Sequence, residues 1–283
     1  MLAAARQSAI ATRARENGTV RVAELASLLN VSEMTIRRDI DVLVSDGLLD
    51  RVHGGAKISG GLSTDEPGFE LKLARQEYEK EAIAREALSL VEPGSAIGLS
   101  AGTTTWRLAK LLATHPQLTV VTNSVQIASV FYNQAAESGG AANVILTGGE
   151  HTPSDALVGP IAISALRQLH LDTLFLGVHG MDDGVGFTTP NLLEAEANRA
   201  FVASARRTVV LADHTKWGTV GMSTIAQLSD ASVVITDTGL PQHARESLEA
   251  RAGQLRLVAP DYPAELAASS AHETHVHETG HNG

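Results

Sequence analysis

The fold of the N-terminal part is decided by the stretch Val31-Ser32-Glu33-Met34-Thr35-Ile36-Arg37-Arg38-Asp39-Ile40. Ser32 can cap a helix, because its hydroxyl accepts a hydrogen bond from an amide of the first turn, and Gly47 can end that helix. Apolar residues recur at helical spacing and predict a buried stripe of Ile36, Ile40 and Leu43. Four residues lie off that stripe, near the N-terminus of the helix: Met34, Thr35, Arg37 and Arg38. In helix-turn-helix complexes this end of the recognition helix contacts the edges of the bases.

The flanking sequence completes a winged helix-turn-helix over residues 1–57. An alanine- and arginine-rich first helix spans residues 2–17, and a second short helix is expected over Val22 to Leu29. After Gly47, a strand and a glycine turn form the wing, with the sequence Arg51-Val52-His53-Gly54-Gly55-Ala56. Glycine at the turn lets the main chain approach a partner closely.

Two motifs of this region resemble the DeoR/GlpR family of bacterial sugar-operon regulators: Thr-Ile-Arg-Arg-Asp at 35–39 and Arg-x-His-Gly-Gly-Ala at 51–56. Arginine presents a fork of donors that fits guanine or a phosphate, so one of Arg37 and Arg38 should read a base and the other a phosphate; which does which stays open. Ser32 and Thr35 are expected to bind a phosphate or a base. In the wing, Arg51 and His53 are expected to hold the DNA backbone or the minor groove, and Gly54 to let the main chain come close. Alternatively, Arg37 and Arg38 form only a solvated charged face. The order of helix cap, apolar stripe, helix-ending glycine and wing favours binding of double-stranded operator DNA.

Composition and charge bound the remaining possibilities. The chain has 283 residues, 43% of them hydrophobic, and no cysteine, which excludes disulfides and thiol catalysis. No apolar run is long enough for a transmembrane helix and no signal peptide is evident, so a cytoplasmic protein without membrane contact is expected. Net charge is −10, whereas residues 1–60 carry eight basic and seven acidic side chains. A nearly neutral head binds DNA weakly, which predicts a homo-oligomer, a dimer or larger.

A linker and a connecting helix follow the head. Residues 58–67 are rich in glycine and serine and end at Pro67, and an amphipathic helix is expected from about Phe69 to Leu90. We therefore assign residues 58–78 to the linker and the start of this helix, and residues 79–263 to a second domain. In that domain short apolar strands alternate with helices, which predicts an α/β fold with a mostly parallel sheet.

Glycine and hydroxyl residues follow several of these strands, at the ends where α/β sheets bind ligands. Gly102, Thr103 and Thr104 begin a helix, whose free amides and dipole favour an anion such as phosphate. The same family has an effector domain similar to ribose-5-phosphate isomerase, with phosphorylated sugars as ligands. By that resemblance these three residues would hold the phosphate, Lys216 would add positive charge, and the sugar would face Asn123, Gly148, Gly149 and Glu194.

The chain departs from the family pattern at two places, which leaves the identity of the sugar open. Ser100 stands where many members have aspartate, and Asn198 stands where lysine is common. His179 and Met181 lie in a loop suited to specificity, although a buried structural histidine is the more common role.

Residues 264–283 lack hydrophobic periodicity and are expected to be disordered. Their histidines, His272, His275, His277 and His281, lack supporting neighbours, so neither a metal site nor a cofactor is expected.

Two functions compete at this stage. The first is a DNA-binding regulator, expected to be a repressor of a sugar-catabolism operon, controlled by a phosphorylated sugar and without catalytic residues. The second is an aldose–ketose sugar-phosphate isomerase that carries a DNA-binding head. Isomerisation requires a carboxylate that moves a proton, for which Glu194 is the candidate and Asp213 a poorer one.

Overall fold

The computed structural model describes residues 6–7, 9–11, 13–14, 19–29, 31–45, 49–52, 54–58, 68–115, 117–138 and 142–263. Predictions about Gly47, His53, most of the linker and the histidine-rich segment 264–283 lie outside these residues. Among the described helices, none is both long and apolar enough to cross a membrane.

The head is a winged helix-turn-helix, as predicted. Helical positions at 6–7, 9–11 and 13–14 (α1) precede β1 (Thr19–Arg21), α2 (Val22–Leu29), α3 (Glu33–Ser45), β2 (Leu49–Val52) and β3 (Gly55–Ile58). The three strands pair antiparallel in the order β1-β3-β2. Their core joins residues of all three helices and of the wing, including Ile10, Leu25, Ile36, Ile40, Leu43 and Leu49.

Helix α3 begins as its sequence predicts. The hydroxyl of Ser32 accepts a hydrogen bond from the amide of Thr35 at 3.2 Å. Ile36 and Ile40 are fully buried, which confirms the apolar stripe.

The connecting helix is two helices, so the prediction of one continuous helix over residues 69–90 was wrong. Helix α4 (Phe69–Leu73) and helix α5 (Glu77–Leu88) are separated by a turn in which Gln76 has φ 50°. The carbonyls of Lys72 and Arg75 accept hydrogen bonds from Nζ of Lys80. The side chain of Lys80 thus satisfies two carbonyls at the break. In a continuous helix, backbone amides of the next turn would donate to them.

The second domain is built on a seven-stranded, entirely parallel sheet, which confirms the α/β prediction. Its strand order is β15-β14-β12-β9-β4-β5-β6. In chain order the strands are β4 (Ala96–Leu99), β5 (Thr119–Thr122), β6 (Asn143–Leu146), β9 (Leu171–Gly177), β12 (Ala205–Leu211), β14 (Val233–Asp237) and β15 (Leu255–Val258). The helices are α6 (Thr103–Leu112), α7 (Val125–Ser138), α8 (Pro160–Leu166), α9 (Leu192–Ser204) and α10 (Gln242–Arg251).

Helices cover both faces of this sheet. Leu174 and Leu176 point into a core with α8, α9 and α10, whereas Phe175 between them points into a core with α5, α6 and α7. This alternation explains the continuous apolar runs of the central strands, because both sides of each strand are buried.

Two small antiparallel sheets near the ligand-binding ends were not predicted. One pairs β7 (Glu150–His151) with β8 (Leu157–Val158). The other joins β10 (Gly180–Asp182), β11 (Gly186–Thr189) and β13 (Ser223–Ala226). Their strands have two to four residues, too short to show a clear hydrophobic period.

Candidate DNA-binding face and ligand cleft

The exposed face of α3 carries the residues expected to contact DNA. Met34 is 65% exposed although it is a large apolar residue, and Arg37 and Arg38 are also exposed. Thr35 is half-buried, and its hydroxyl lies 2.9 Å from that of Ser32. The structure therefore brings these five side chains to one end of α3, clear of the core.

Arginines on this face are already paired with carboxylates of the same head. Arg37 donates to Glu33 at 3.1 Å, one turn earlier, and Arg51 of the wing is paired with Asp41 of α3. Exposed pairs of this kind contribute little stability, so a DNA phosphate can replace the carboxylate at small cost. Gly54 has φ +78° with open space around it, so the wing turn can approach a partner.

Asp39 has a structural role that the motif alone did not reveal. Its carboxylate is 3% exposed and accepts hydrogen bonds from Nε and Nη2 of Arg6 and from Nε2 of Gln7. Because Arg6 and Gln7 lie on α1, this cluster fixes the recognition helix against the first helix. An acidic residue in a DNA-binding helix could have suggested such a buried partner.

The second domain contains a cleft of about 820 Å³ at the carboxyl ends of the strands. The start of α6 forms one wall, with Ala101, Gly102, Thr103 and Thr104, and the α4–α5 junction forms another. Further lining comes from Glu194 and Asn198 of α9, from His179, and from Asp213 and Lys216. Val44, Ser45, Asp50 and Arg51 of the head also line it.

Buried polar side chains fix the loop before α6 by hydrogen bonds to its backbone. No side chain caps the start of this helix in the part of the chain that the structure describes. Instead the hydroxyl of Thr105 donates to the carbonyls of Ser100 and Gly102, at 2.7 and 2.9 Å. Residues 101–104, at the start of this helix, line the cleft. A helix N-terminus presents amides that can bind an anion.

Asn123 and Ser100 support this loop from behind. Asn123 accepts from the amide of Ala101 at 2.8 Å and donates to the carbonyl of Leu157 at 3.2 Å. Ser100 is fully buried, and its hydroxyl accepts from the amide of Gly177 at 2.9 Å. Both side chains join neighbouring strand ends, and neither belongs to the lining of the cleft as described.

Gly148 and Gly149 also lie outside that lining. Both have positive φ, and a Cβ on Gly149 would come within 2.3 Å of the carbonyl oxygen of Val158. The close approach of β7 and β8 accounts for this glycine without a ligand. Met181 is fully buried, in the core beneath the sheet.

Glu194 is a buried carboxylate fixed by hydroxyl groups. Thr152 donates to its Oε1 at 2.6 Å, Ser154 donates to the same oxygen, and Thr189 approaches Oε2 at 3.5 Å. The side chain is held at the cleft by the loop between β7 and β8, far away in sequence. Nothing in the local pattern around Glu194 indicated these partners.

A cluster of buried charges also lines the cleft. Lys80 is 3% exposed, and burial lowers its pKa to about 8 despite the attraction of Asp213. Asp213 is also buried, but Lys216 and Lys80, with a hydrogen bond from Thr215, outweigh burial and lower its pKa. Its Oδ2 has no hydrogen-bond partner among the described residues. The sequence missed Lys80, because a lysine in a charged helix is normally exposed.

Within the described ranges, no group of three or more histidine, cysteine or acidic side chains is placed to hold a metal ion. The lining of the cleft combines the start of α6, Lys80 and Lys216 with the buried carboxylate of Glu194.

Comparisons with known proteins cover both parts of the chain. Residues 6–60 match the model of the DeoR-like helix-turn-helix domain, and residues 75–238 match that of the DeoR C terminal sensor domain. The HTH-type transcriptional regulator YulB of Bacillus subtilis is 36% identical over 250 residues, covering 88% of this chain and 94% of its own.

Two further relatives carry names that state a function. The putative aga operon transcriptional repressor of Escherichia coli O157:H7 is 32% identical, over 89% of this chain and 93% of its own. The lactose phosphotransferase system repressor of Staphylococcus aureus is 32% identical, over 81% and 89%. Among solved structures, ribose 5-phosphate isomerase A of Methanocaldococcus jannaschii is similar with TM-score 0.36 and 16% identity, over 49% of this chain and 53% of its own. With both domain models matched and relatives similar over most of its length, the chain belongs to the DeoR family of transcriptional regulators.

Proposed function

We propose that this protein is a sequence-specific transcriptional repressor of a sugar-catabolism operon, and that a phosphorylated sugar in the cleft controls its affinity for operator DNA. The observation that carries the proposal is the uncapped start of α6, which faces a cleft also lined by Lys80 and Lys216. Helix amides and ammonium groups together bind a phosphate group.

The opposite side of the cleft supports a sugar as the remainder of the ligand. Glu194 and Asn198 offer acceptors and donors to hydroxyl groups, and His179 lies beside them. A cleft of about 820 Å³ has ample room for a sugar phosphate. Two relatives are named as repressors of an aga operon and of a lactose phosphotransferase system, which supports a sugar pathway.

The test is a titration of labelled promoter DNA from beside the gene with the full-length protein, with and without each of a panel of pentose and hexose phosphates. We expect one phosphorylated sugar to change operator affinity by about 5–150-fold, and its unphosphorylated parent to have no effect. Lys216→Met should abolish the response, whereas Lys110→Met, at an exposed lysine on α6, should retain it. Operator binding that no phosphorylated sugar changes would contradict the proposal.

The proposal includes a homo-oligomer, because a nearly neutral head contacts DNA weakly on its own. Light scattering of the purified protein should give a mass of at least twice that of one chain, and a monomer at micromolar concentration would refute this part.

A second candidate function rests on Glu194. A buried carboxylate, held by two hydroxyls and approached by a third at the wall of the cleft, is placed as a general base of an aldose–ketose isomerase requires. The test is turnover of a sugar phosphate by the wild type and two variants. Loss of turnover in Glu194→Gln, with turnover retained in Glu196→Gln at an exposed position of the same helix, would establish this activity. The regulators named among the relatives favour the first function.

A further inference from the structure

The turn between α4 and α5 is held by two buried cations rather than by helical hydrogen bonds alone. Lys80 donates to the carbonyls of Lys72 and Arg75, at 2.5 and 2.6 Å. Arg107 donates to the carbonyl of Leu73 at 3.4 Å. Three carbonyls around the break are therefore contacted by side chains of α5 and α6.

Arg107 is the less expected of these two cations. It lies on α6 and is 7% exposed. Residues 101–104, the proposed anion-binding loop one turn earlier, are called the cradle below. The guanidinium of Arg107 is 3.3 Å from Glu77 and 3.6 Å from Glu81, both on α5, while its Nε has no hydrogen-bond partner among the described residues. An apolar residue would avoid the desolvation of a buried cation, so packing alone does not explain this arginine.

This contact joins the cradle to the segment that leads to the head. Helix α6 begins in the cleft at Thr103, and Arg107 links it to the α4–α5 turn. The same turn lines the cleft directly through Lys72, Arg75, Gln76 and Lys80. Along the chain, α4 follows the stretch that leaves the wing after Ile58. A ligand in the cleft therefore touches the covalent route to the DNA-binding head.

We propose that the α4–α5 turn is a ligand-sensitive hinge, and that Arg107 is the positioning residue that holds it in the arrangement described above. This inference rests on the proposed function, since it names the element through which ligand and DNA are coupled. An anion in the cradle competes with the carbonyls of Lys72 and Arg75 for the ammonium of Lys80. Once that ammonium turns toward the anion, Arg107 is the one side chain of the two that still holds the turn, and the turn opens more readily.

The first experiment measures the hinge without DNA. Amide hydrogen exchange of residues 74–80 is followed in the full-length wild type, in Arg107→Met and in the control Lys110→Met. Lys110 lies on the same helix, exposed beside the Trp106 ring. Arg107→Met should exchange about tenfold faster at these amides and unchanged in the sheet, while Lys110→Met should match the wild type. Millimolar inorganic phosphate should speed exchange in the wild type, relative to chloride at equal ionic strength.

Unchanged exchange at residues 74–80 in Arg107→Met, or faster exchange spread over the whole domain, would overturn the proposal. Arg107→Lys keeps the charge and loses one arm of the guanidinium, so a folded protein with intermediate exchange is expected. If Arg107→Met unfolds, Arg107→Lys still tests the proposal. An exchange rate equal to that of the wild type in Arg107→Lys would refute the hinge.

The second experiment measures coupling, with the phosphorylated sugar that produces the largest wild-type response in the operator titration. Arg107→Met should bind this sugar within about threefold of the wild type, but its operator affinity should no longer respond. A wild-type-like response would refute the role of Arg107 and leave the proposed function intact. If the wild type itself binds operator without responding to any sugar phosphate, the proposed function fails with the inference.

Discussion

Lys80 makes a quantitative prediction about stability and pH. Its pKa is lowered from 10.5 to about 8 in the folded protein, because burial disfavours the charged form. Between these values the unfolded chain binds more protons than the folded one, so the free energy of unfolding rises with pH. Integrating over this window, the wild type should gain about 2.5 kcal/mol from Lys80 between pH 7 and pH 10.

The assay compares urea unfolding of the wild type and Lys80→Met at several pH values. Trp106 and Trp217, the two tryptophans of the chain, report on the sensor domain by fluorescence. Other groups titrate equally in both proteins, so the difference between the two stability curves isolates Lys80. That difference should change by about 2.5 kcal/mol in favour of the wild type as the pH rises from 7 to 10.

The control is Lys110→Met, which removes an exposed lysine and should leave a curve parallel to that of the wild type. Parallel curves for Lys80→Met as well would refute the reasoning, since Lys80 would then titrate alike in both states. A confirmed slope would show that the domain retains a buried cation at a cost in stability, as ligand sites often do.

Three further predictions concern the head, a turn and the strand ends. Arg38→Met should weaken operator binding by about 1–3 kcal/mol in fluorescence anisotropy, and an unchanged affinity would show that this arginine does not contact DNA. Gly149→Ala should lower the melting temperature, because its Cβ would meet the β8 backbone, whereas Gly94→Ala, with a similarly positive φ and open space, should lower it less. In the folded protein burial lowers the pKa of His214, but the hydrogen bond and charge of Asp237 outweigh it and raise that pKa. The stabilisation is therefore present below the ordinary histidine pKa and lost as pH rises through the raised value, so Asp237→Asn should destabilise more at about pH 6 than at about pH 9 in urea unfolding. Equal losses at both pH values would contradict this.

Local signals in the sequence were sufficient for the head and for the type of the second domain. A capping serine, an apolar stripe and a glycine-rich wing specify neighbouring residues, and Ser32, Ile36 and Ile40 behave as these signals require. Alternating strands and helices likewise predicted a parallel sheet, since each element can be read from its own periodicity. The DNA and effector contacts assigned to individual residues, and the domain boundaries, stay predictions.

Tertiary structure decided which side chains from distant parts of the chain come into contact. Only the packed fold shows that Lys80 is buried against the α4–α5 break, and that Thr152 and Ser154 hold Glu194. It also shows that Asn123 accepts a hydrogen bond from the amide of Ala101 and so supports the loop before α6. A side chain's neighbours across the cleft leave no trace in its own local pattern, because burial and charge pairing depend on segments tens of residues away. The sequence by itself determined the head and the alternation of the main strands and helices. Packing determined the break between α4 and α5, the two small sheets and which side chains line the cleft.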